Sequence, residues 1–104
     1  MTSFDDREHA FEAKFAHDAE MLFRAEARRN KLLGLWAAEL LGKTGEAAAE
    51  YALEVVRAEV EEPGDEDVAR KLAADLAGKA SAEEIRAKMK LLMAQARVQM
   101  LDEF

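Results

Sequence analysis

Residues 32–41 read Leu-Leu-Gly-Leu-Trp-Ala-Ala-Glu-Leu-Leu and form the most apolar stretch of a chain of 104 residues. A stretch this apolar is expected inside the folded protein, so it fixes one end of the core. It closes a run without Pro that ends at Gly42, where a left-handed glycine can terminate a helix. The sequence therefore predicts one very long first helix, from about Phe4 to Leu41.

Three shorter helical runs follow, each bounded by turn residues. The second spans about residues 46–61, behind a predicted cap at Thr44, and stops at Pro63 and Gly64. The third starts at the predicted cap Asp65 and ends at Gly78. The fourth spans about residues 82–102, after a capping box made by Ser81 and Glu84.

Helical spacing of the apolar side chains predicts which face of each run is buried. The predicted core positions are Ala49, Leu53, Val56 and Val60 in the second run, Val68, Leu72 and Leu76 in the third, and Ile85, Met89, Leu92, Met93, Ala96 and Met100 in the fourth.

The composition favours a single all-α domain over residues 1–104. The chain is rich in Ala, Leu, Glu, Lys and Arg, and has only 7% aromatic residues and one Pro. Because it has no Cys, disulfides, thiolate metal sites and cysteine nucleophiles are excluded. We predict a four-helix bundle with a long first helix and a mobile N-terminal arm, and no cofactor.

The net charge of −7 argues against nucleic acid as a partner, since such binding depends on Lys and Arg neutralising phosphates. Anionic membranes are disfavoured for the same reason. The N-terminus lacks the basic start and apolar run of a signal peptide, and no stretch approaches about 18 apolar residues. The sequence predicts a soluble, cytoplasmic protein.

The first helix is too long for its bundle. At about 1.5 Å per residue, 38 residues reach about 57 Å, whereas the 21 residues of the fourth run reach about 32 Å. The apolar end at residues 32–41 belongs to the core, so the N-terminal half is expected to project. Residues 1–20 of that half carry six acidic and two basic side chains, a net charge of −4.

The projecting half carries an apolar stripe with helical spacing, formed by Phe4, Phe11, Phe15 and Leu22. An unpartnered amphipathic helix with aromatic anchors has the form of a ligand that docks into a groove of another protein. The stripe alternatively packs on the bundle itself. We favour the first interpretation, with residues 1–17 as the mobile arm and 18–104 as the bundle.

Other chemistry has weaker support. The basic cluster of Arg24, Arg28, Arg29 and Lys31 is interpreted as a solvated face, with Glu20 pairing to Arg24. A weakly bound purine nucleotide stays open as an alternative, provided that Trp36 or Tyr51 is exposed enough to stack on a base, and a generic helical adaptor is a third possibility. Trp36 is interpreted as a core residue. His9 and His17 do not form a metal motif, and no nucleophile motif is present, so an enzyme is not expected.

Residues 4–42, from Phe-Asp-Asp-Arg-Glu-His-Ala-Phe-Glu-Ala-Lys-Phe through Leu-Leu-Gly-Leu-Trp-Ala-Ala-Glu-Leu-Leu-Gly, resemble the zeta-subunit inhibitors of the alphaproteobacterial F-type ATP synthase. The resemblance extends through residues 51–60 and 67–68 into the fourth run, and is most specific over 4–42.

The resemblance implies a non-catalytic inhibitor of the F1-ATPase at the cytoplasmic face of the ATP synthase. Its mobile N-terminal segment would insert at a catalytic interface between the α and β subunits, near γ, and block rotation in the ATP-hydrolysis direction. The inhibitory part would be Thr2 to about His17. The implied partner-binding residues are Phe4, Asp5, Asp6, Arg7, Phe11, Lys14 and Phe15.

Overall fold

The computed structural model describes the backbone of residues 3–61 and 65–102, and the side chains of residues 17–58 and 65–101. Within these residues the chain is all-α. Four helices follow one another: α1 (Ser3–Leu40), α2 (Gly45–Glu61), α3 (Asp65–Asp75) and α4 (Ala82–Asp102). The predicted four-helix bundle and its long first helix are confirmed.

The helix ends largely follow the predicted signals. Gly42 has a φ of 74° and closes α1, and Gly45, with a φ of 56°, begins α2. The backbone N–H of Glu84 donates to Ser81 Oγ at 3.1 Å, so Ser81 caps α4. The third helix ends at Asp75, before the predicted Gly78, because residues 76–79 form a separate turn in which Gly78 has a φ of 81°.

One core joins all four helices. Helix α1 packs against α2 and α4, and α3 contacts α2 and α4. The predicted core residues of α3 and α4 are confirmed: Met93 is half-buried and the others are buried. The side chains that are completely buried include Leu33 of α1, Val55 of α2, Val68 and Leu72 of α3, Leu76 after α3, and Ile85 of α4.

The predicted buried face of α2 was wrong. Ala49 and Leu53 are exposed, and Val56 is half-buried; the side chain of Val60 lies outside the described residues. The buried positions are Tyr51, Ala52 and Val55. The helix is turned so that Ala52 meets Gly34 of α1, because these two small residues let the backbones approach closely.

The N-terminal half of α1 extends past the bundle's buried part. The first described residue of α1 that is buried is Ala25, although the helix begins at Ser3. The molecule measures 61 × 25 × 22 Å, so its long axis matches the length of α1 rather than that of the shorter helices. We call the bundle end near Ala25 the open end.

Candidate partner-binding site

The predicted site residues lie on the first turns of α1. The helical backbone runs from Ser3 through Leu40 without a break, so residues 3–16 share one helix with the bundle's core. The side chains of Phe4, Asp5, Asp6, Arg7, Phe11, Lys14 and Phe15 lie outside the described part of the chain. Residues 17–20, the first whose side chains are described, are all exposed.

An apolar shoulder lies where α1 enters the bundle. It is formed by Met21, Leu22, Phe23, Val56 and Met100. Phe23 is 62% exposed and Leu22 is 45% exposed, whereas Met100 is buried beneath them. A groove of about 440 Å³ opens here, with Phe23 on α1, Val56 on α2 and Met100 on α4 in its lining. Exposed large apolar side chains grouped in this way mark a contact surface.

The shoulder continues as a second groove between α1 and the end of α4. This groove has a volume of about 350 Å³ and lies against Met21, Leu22, Met100 and Leu101. Asp18 and Arg97 also line it. The open end of the bundle therefore presents two adjoining apolar grooves beside the segment that carries the predicted site.

Basic side chains stand beside the shoulder. Arg24, Arg28 and Lys31 line the first groove. Arg24 Nη2 donates to Glu20 Oε1 at 2.7 Å, which confirms the predicted pair one turn apart. Because both side chains are more than half exposed, this pair contributes little to stability.

Arg29 does not belong to the solvated basic face, so that prediction was wrong for this residue. Its side chain is only 4% exposed. Arg29 Nη2 donates to Asp65 Oδ1 at 3.0 Å, and its Nε donates to Asn30 Oδ1 at the same distance. A buried guanidinium needs such partners, so Arg29 ties α1 to the first residue of α3.

Tyr51 is buried at the other end of the molecule, where it lines a pocket of about 340 Å³ beside Lys43 and Lys71. Its hydroxyl donates to Asp75 Oδ2 at 2.7 Å, and Lys71 Nζ lies 5.3 Å from the ring centroid. Burial and this hydrogen bond raise the pKa of Tyr51. Burial also tends to raise the pKa of Asp75, but hydrogen bonds from Tyr51 and Lys71 outweigh it, and the pKa is lowered.

Trp36 is half-buried and packs against the core, as its core interpretation predicted. Lys88 Nζ lies 5.7 Å from the centroid of its ring. Tyr51 is buried and Trp36 is half-buried beneath Lys88, and the purine-nucleotide alternative stays a prediction. The strongest candidate site is the open end.

Two features are absent among the residues that the structure describes. No group of three or more His, Cys, Asp or Glu side chains among them is arranged to hold a metal ion. Within the same residues, no helix combines the length and apolar character needed to cross a membrane.

Sequence reasoning included Leu22 in the apolar stripe but missed Phe23. The available signal was helical position. The buried residues Ala25, Arg29 and Leu33 are spaced by four and define the inward face of α1, and Phe23 does not fall on that repeat. A large aromatic residue away from the inward face is a contact candidate.

Comparisons with known proteins agree with this architecture. A solution NMR structure of a protein 58% identical in sequence superimposes with a TM-score of 0.74, covering 81% of this chain and 99% of that one. A search of curated proteins gives no match. The family model described as ATPase inhibitor subunit zeta matches residues 1–99, nearly the whole chain. The chain therefore belongs to the ATPase inhibitor subunit zeta family.

Proposed function

We propose that this protein inhibits the F1-ATPase by inserting residues 2–17, an inhibitory arm, at a catalytic interface between the α and β subunits near γ. The inserted arm blocks rotation in the ATP-hydrolysis direction. The protein supplies no catalytic residue, and it meets the membrane only through the ATP synthase, at its cytoplasmic face. The arm would be mobile until it docks, and residues 18–104 would hold it.

The observation that carries the proposal is the geometry of α1. The helix begins 22 residues before Ala25, its first described buried residue, so the bundle alone does not account for its length. The sequence of this excess carries three Phe residues at helical spacing. Burying each in a partner's groove contributes about 1.5–3 kcal/mol, which favours the docked helix because the helix alone is only marginally unstable in water.

The shoulder supports a contact that continues from the arm onto the bundle. Leu22 and Phe23 lie between one and two helical turns after the end of the arm and are exposed, so a partner that covers the arm can also cover them. The basic residues Arg24 and Lys31 at the groove favour an acidic rim on the partner.

The test is an ATP-hydrolysis assay with purified F1, comparing the full chain with a chain that lacks residues 2–17. We expect the truncated protein to lose inhibition while its thermal unfolding temperature stays within a few degrees of that of the full chain. Full inhibition by the truncated protein would refute the arm as the inhibitory segment.

The shoulder is tested in the same assay. Phe23→Ser should weaken inhibition, whereas Leu40→Ser should not. Leu40 is a matched control because it lies on the same helix, is 38% exposed, and is far from the open end. If both substitutions weaken inhibition equally, the loss of inhibition comes from a less stable α1 and not from a lost contact between Phe23 and the partner.

A further inference from the structure

Helix α4 has a second apolar face that is exposed in the described part of the bundle. Its members are Ala87, Leu91, Ala94, Val98 and Leu101, and we call this face the seam. Leu91 is 59% exposed, Val98 58% and Leu101 75%, while the two alanines are also exposed. The spacing alternates between four and three residues, which is the repeat of a helix that packs along another helix.

The seam lies opposite the core on α4. The buried residues Ile85, Met89, Leu92, Ala96 and Met100 occupy the other side of the same helix. A helix with apolar residues on both sides, of which the described part of the bundle covers only one, is built to contact another chain. The face extends over about 21 Å, since 14 residues separate Ala87 from Leu101.

The charge around the seam is unusual for this protein. No acidic residue occurs in the sequence between Ile85 and Leu101, whereas Arg86, Lys88, Lys90 and Arg97 do, in a chain of net charge −7. Arg86 forms a bidentate salt bridge with Glu66 of α3, in which each of the two hydrogen bonds is 2.9 Å long. Lys90 and Arg97 are exposed beside the seam. The occupant should therefore be an acidic amphipathic helix.

We propose that the inhibitory arm of a second copy of this chain docks on the seam, and that two copies exchange arms in a symmetric dimer. The arm has the required sequence: a net charge of −2 over residues 2–17, with Phe4, Phe11 and Phe15 at spacings of seven and four. Pairing α4 with α4 would instead bring two basic borders together. The identity of the arm as the inhibitory segment rests on the proposed function.

The geometry permits this exchange. Lys88 of α4 lies over Trp36, and Met100 of α4 lies beside Phe23, so α4 runs antiparallel to α1 and its seam ends at the open end. When two open ends face each other across a two-fold axis, each arm runs along the other copy's seam. Phe4 to Phe15 spans about 16 Å and Leu91 to Leu101 about 15 Å, so the two stripes have matching lengths.

The contact area suits a reversible dimer. A buried aromatic side chain contributes about 150–250 Å², so the six Phe rings of two arms contribute on the order of 1,000 Å² before the two seams are counted. Stable interfaces bury about 1,200–2,000 Å² in total. The dimer covers the arm, so it competes with docking on the ATPase and lowers the concentration of active inhibitor.

Sedimentation equilibrium of the full chain over a dilution series gives the first test. At low salt the mass should rise from 11.6 kDa toward twice that value as concentration increases. The double substitution Leu91→Glu and Val98→Glu should keep the chain monomeric. Leu53→Glu, at an exposed leucine of α2, is the matched control and should dimerise normally. A wild-type chain that stays monomeric, or a seam variant that still dimerises, would overturn the proposal.

Charge reversal identifies which surfaces pair. Lys90→Glu with Arg97→Glu should prevent self-association, and so should Glu8→Lys with Glu12→Lys on the arm. Mixing the two variants should restore dimers, because each arm then meets a seam of opposite charge. If the arm variant dimerises alone, α4 pairs with α4 instead, and arm exchange is refuted.

A spin label locates the arm. The chain has no Cys, so Ser3→Cys carries a nitroxide at one defined place. When this variant is mixed with 15N-enriched wild type that carries no label, the nitroxide should broaden the amide signals of α4 around Leu91. Docking on the seam would be contradicted if the signals of α4 were not broadened. It would also be contradicted if the broadening stayed the same when the 15N-enriched chain carries Leu91→Glu and Val98→Glu.

The ATPase assay separates this proposal from the proposed function. A folded seam variant should inhibit at lower total concentration than wild type, because its arm is never covered by a second copy. If the seam variant fails to inhibit, the seam binds the ATPase and the dimer proposal falls. If the chain dimerises through arm and seam but no variant inhibits, the proposed function fails while the dimer stands.

Discussion

Gly34 sets the closest approach between α1 and α2. A Cβ atom at this position would lie 2.6 Å from Ala52 Cα, a backbone atom that cannot move away independently. In an open helix, Gly→Ala stabilises by about 0.5–1 kcal/mol. Here the clash should reverse the sign, so we expect Gly34→Ala to lower the free energy of unfolding by about 1–3 kcal/mol in urea denaturation.

A second substitution checks the cause. Ala52→Gly removes the methyl group but leaves the backbone of α2 where it is, so adding it to Gly34→Ala should not recover wild-type stability. A stabilised Gly34→Ala variant would show that the two helices can separate without loss.

Tyr51 should make the folded state sensitive to alkaline pH. Burial and the hydrogen bond to Asp75 raise its pKa above the usual value of 10.0. A group whose pKa is higher in the folded than in the unfolded chain stabilises the fold below the unfolded-state pKa. This contribution is lost as the pH rises above about 10.

The titration can be observed directly. Tyr51 is the only tyrosine, so absorbance at a wavelength specific for tyrosinate reports its ionisation alone. We expect it to ionise at higher pH in the folded chain than in urea. Tyr51→Phe gives up one hydrogen bond, so its free energy of unfolding at neutral pH should be about 1 kcal/mol lower than that of wild type. As the pH becomes alkaline, the free energy of unfolding should fall less in this variant than in wild type.

At the scale of elements, the sequence predicted the helices well and the orientation of α2 poorly. Turn residues such as Gly42 and Ser81 act locally, so helix ends can be inferred from neighbours alone. The face of α2 cannot, because Ala-rich helices offer two similar apolar stripes. The packing of Ala52 against Gly34, 18 positions away in the chain, decides between them.

The shoulder and the seam show the same dependence on context. The stripe of Phe4, Phe11 and Phe15 stands out because charge surrounds it, so a partner site could be predicted there. The exposed seam of α4 consists of apolar residues, as its core face does. Only the packing of the other three helices shows which of its two faces is covered.

Within α1, apolar contacts should outweigh charges in docking. Phe11→Asp or Phe15→Asp removes about 1.5–3 kcal/mol of burial and places a charge in a closed groove, so either should greatly weaken inhibition. Asp5→Ala removes a rim charge, which contributes about 0–1 kcal/mol and mainly affects the association rate. Inhibition curves at two ionic strengths, with helicity checked by circular dichroism, distinguish them. A larger, salt-independent loss in Asp5→Ala would invert this ranking.

The whole molecule combines a compact bundle with one helix that is about as long as the molecule itself. Its long axis measures 61 Å, whereas the other two are 25 and 22 Å. Charge follows the same division: residues 1–20 are acidic, α4 is basic from Arg86 to Arg97, and the apolar shoulder lies between them. The projecting half thus combines the longest reach with the strongest charge contrast to α4.

This division predicts a gradient of backbone stability along α1. Leu33, Ala37 and Ala38 lie in the core, so their amides should exchange with solvent only at the rate of global unfolding. Residues 17–20 have exposed side chains and lie at the end of the bundle. A helix of about 15 residues that packs against nothing is only marginally stable in water. Exchange should therefore be fast up to about residue 20, and its rate should fall steeply between Met21 and Leu33.

In a dimer with exchanged arms, protection from exchange should extend toward the N-terminus as the protein concentration rises. The double substitution Leu91→Glu and Val98→Glu should abolish that extension. Protection of residues 17–20 equal to that of Leu33 in the monomeric seam variant would show that this part of α1 is stabilised by its own bundle, and the structural reason for an inserting arm would be lost.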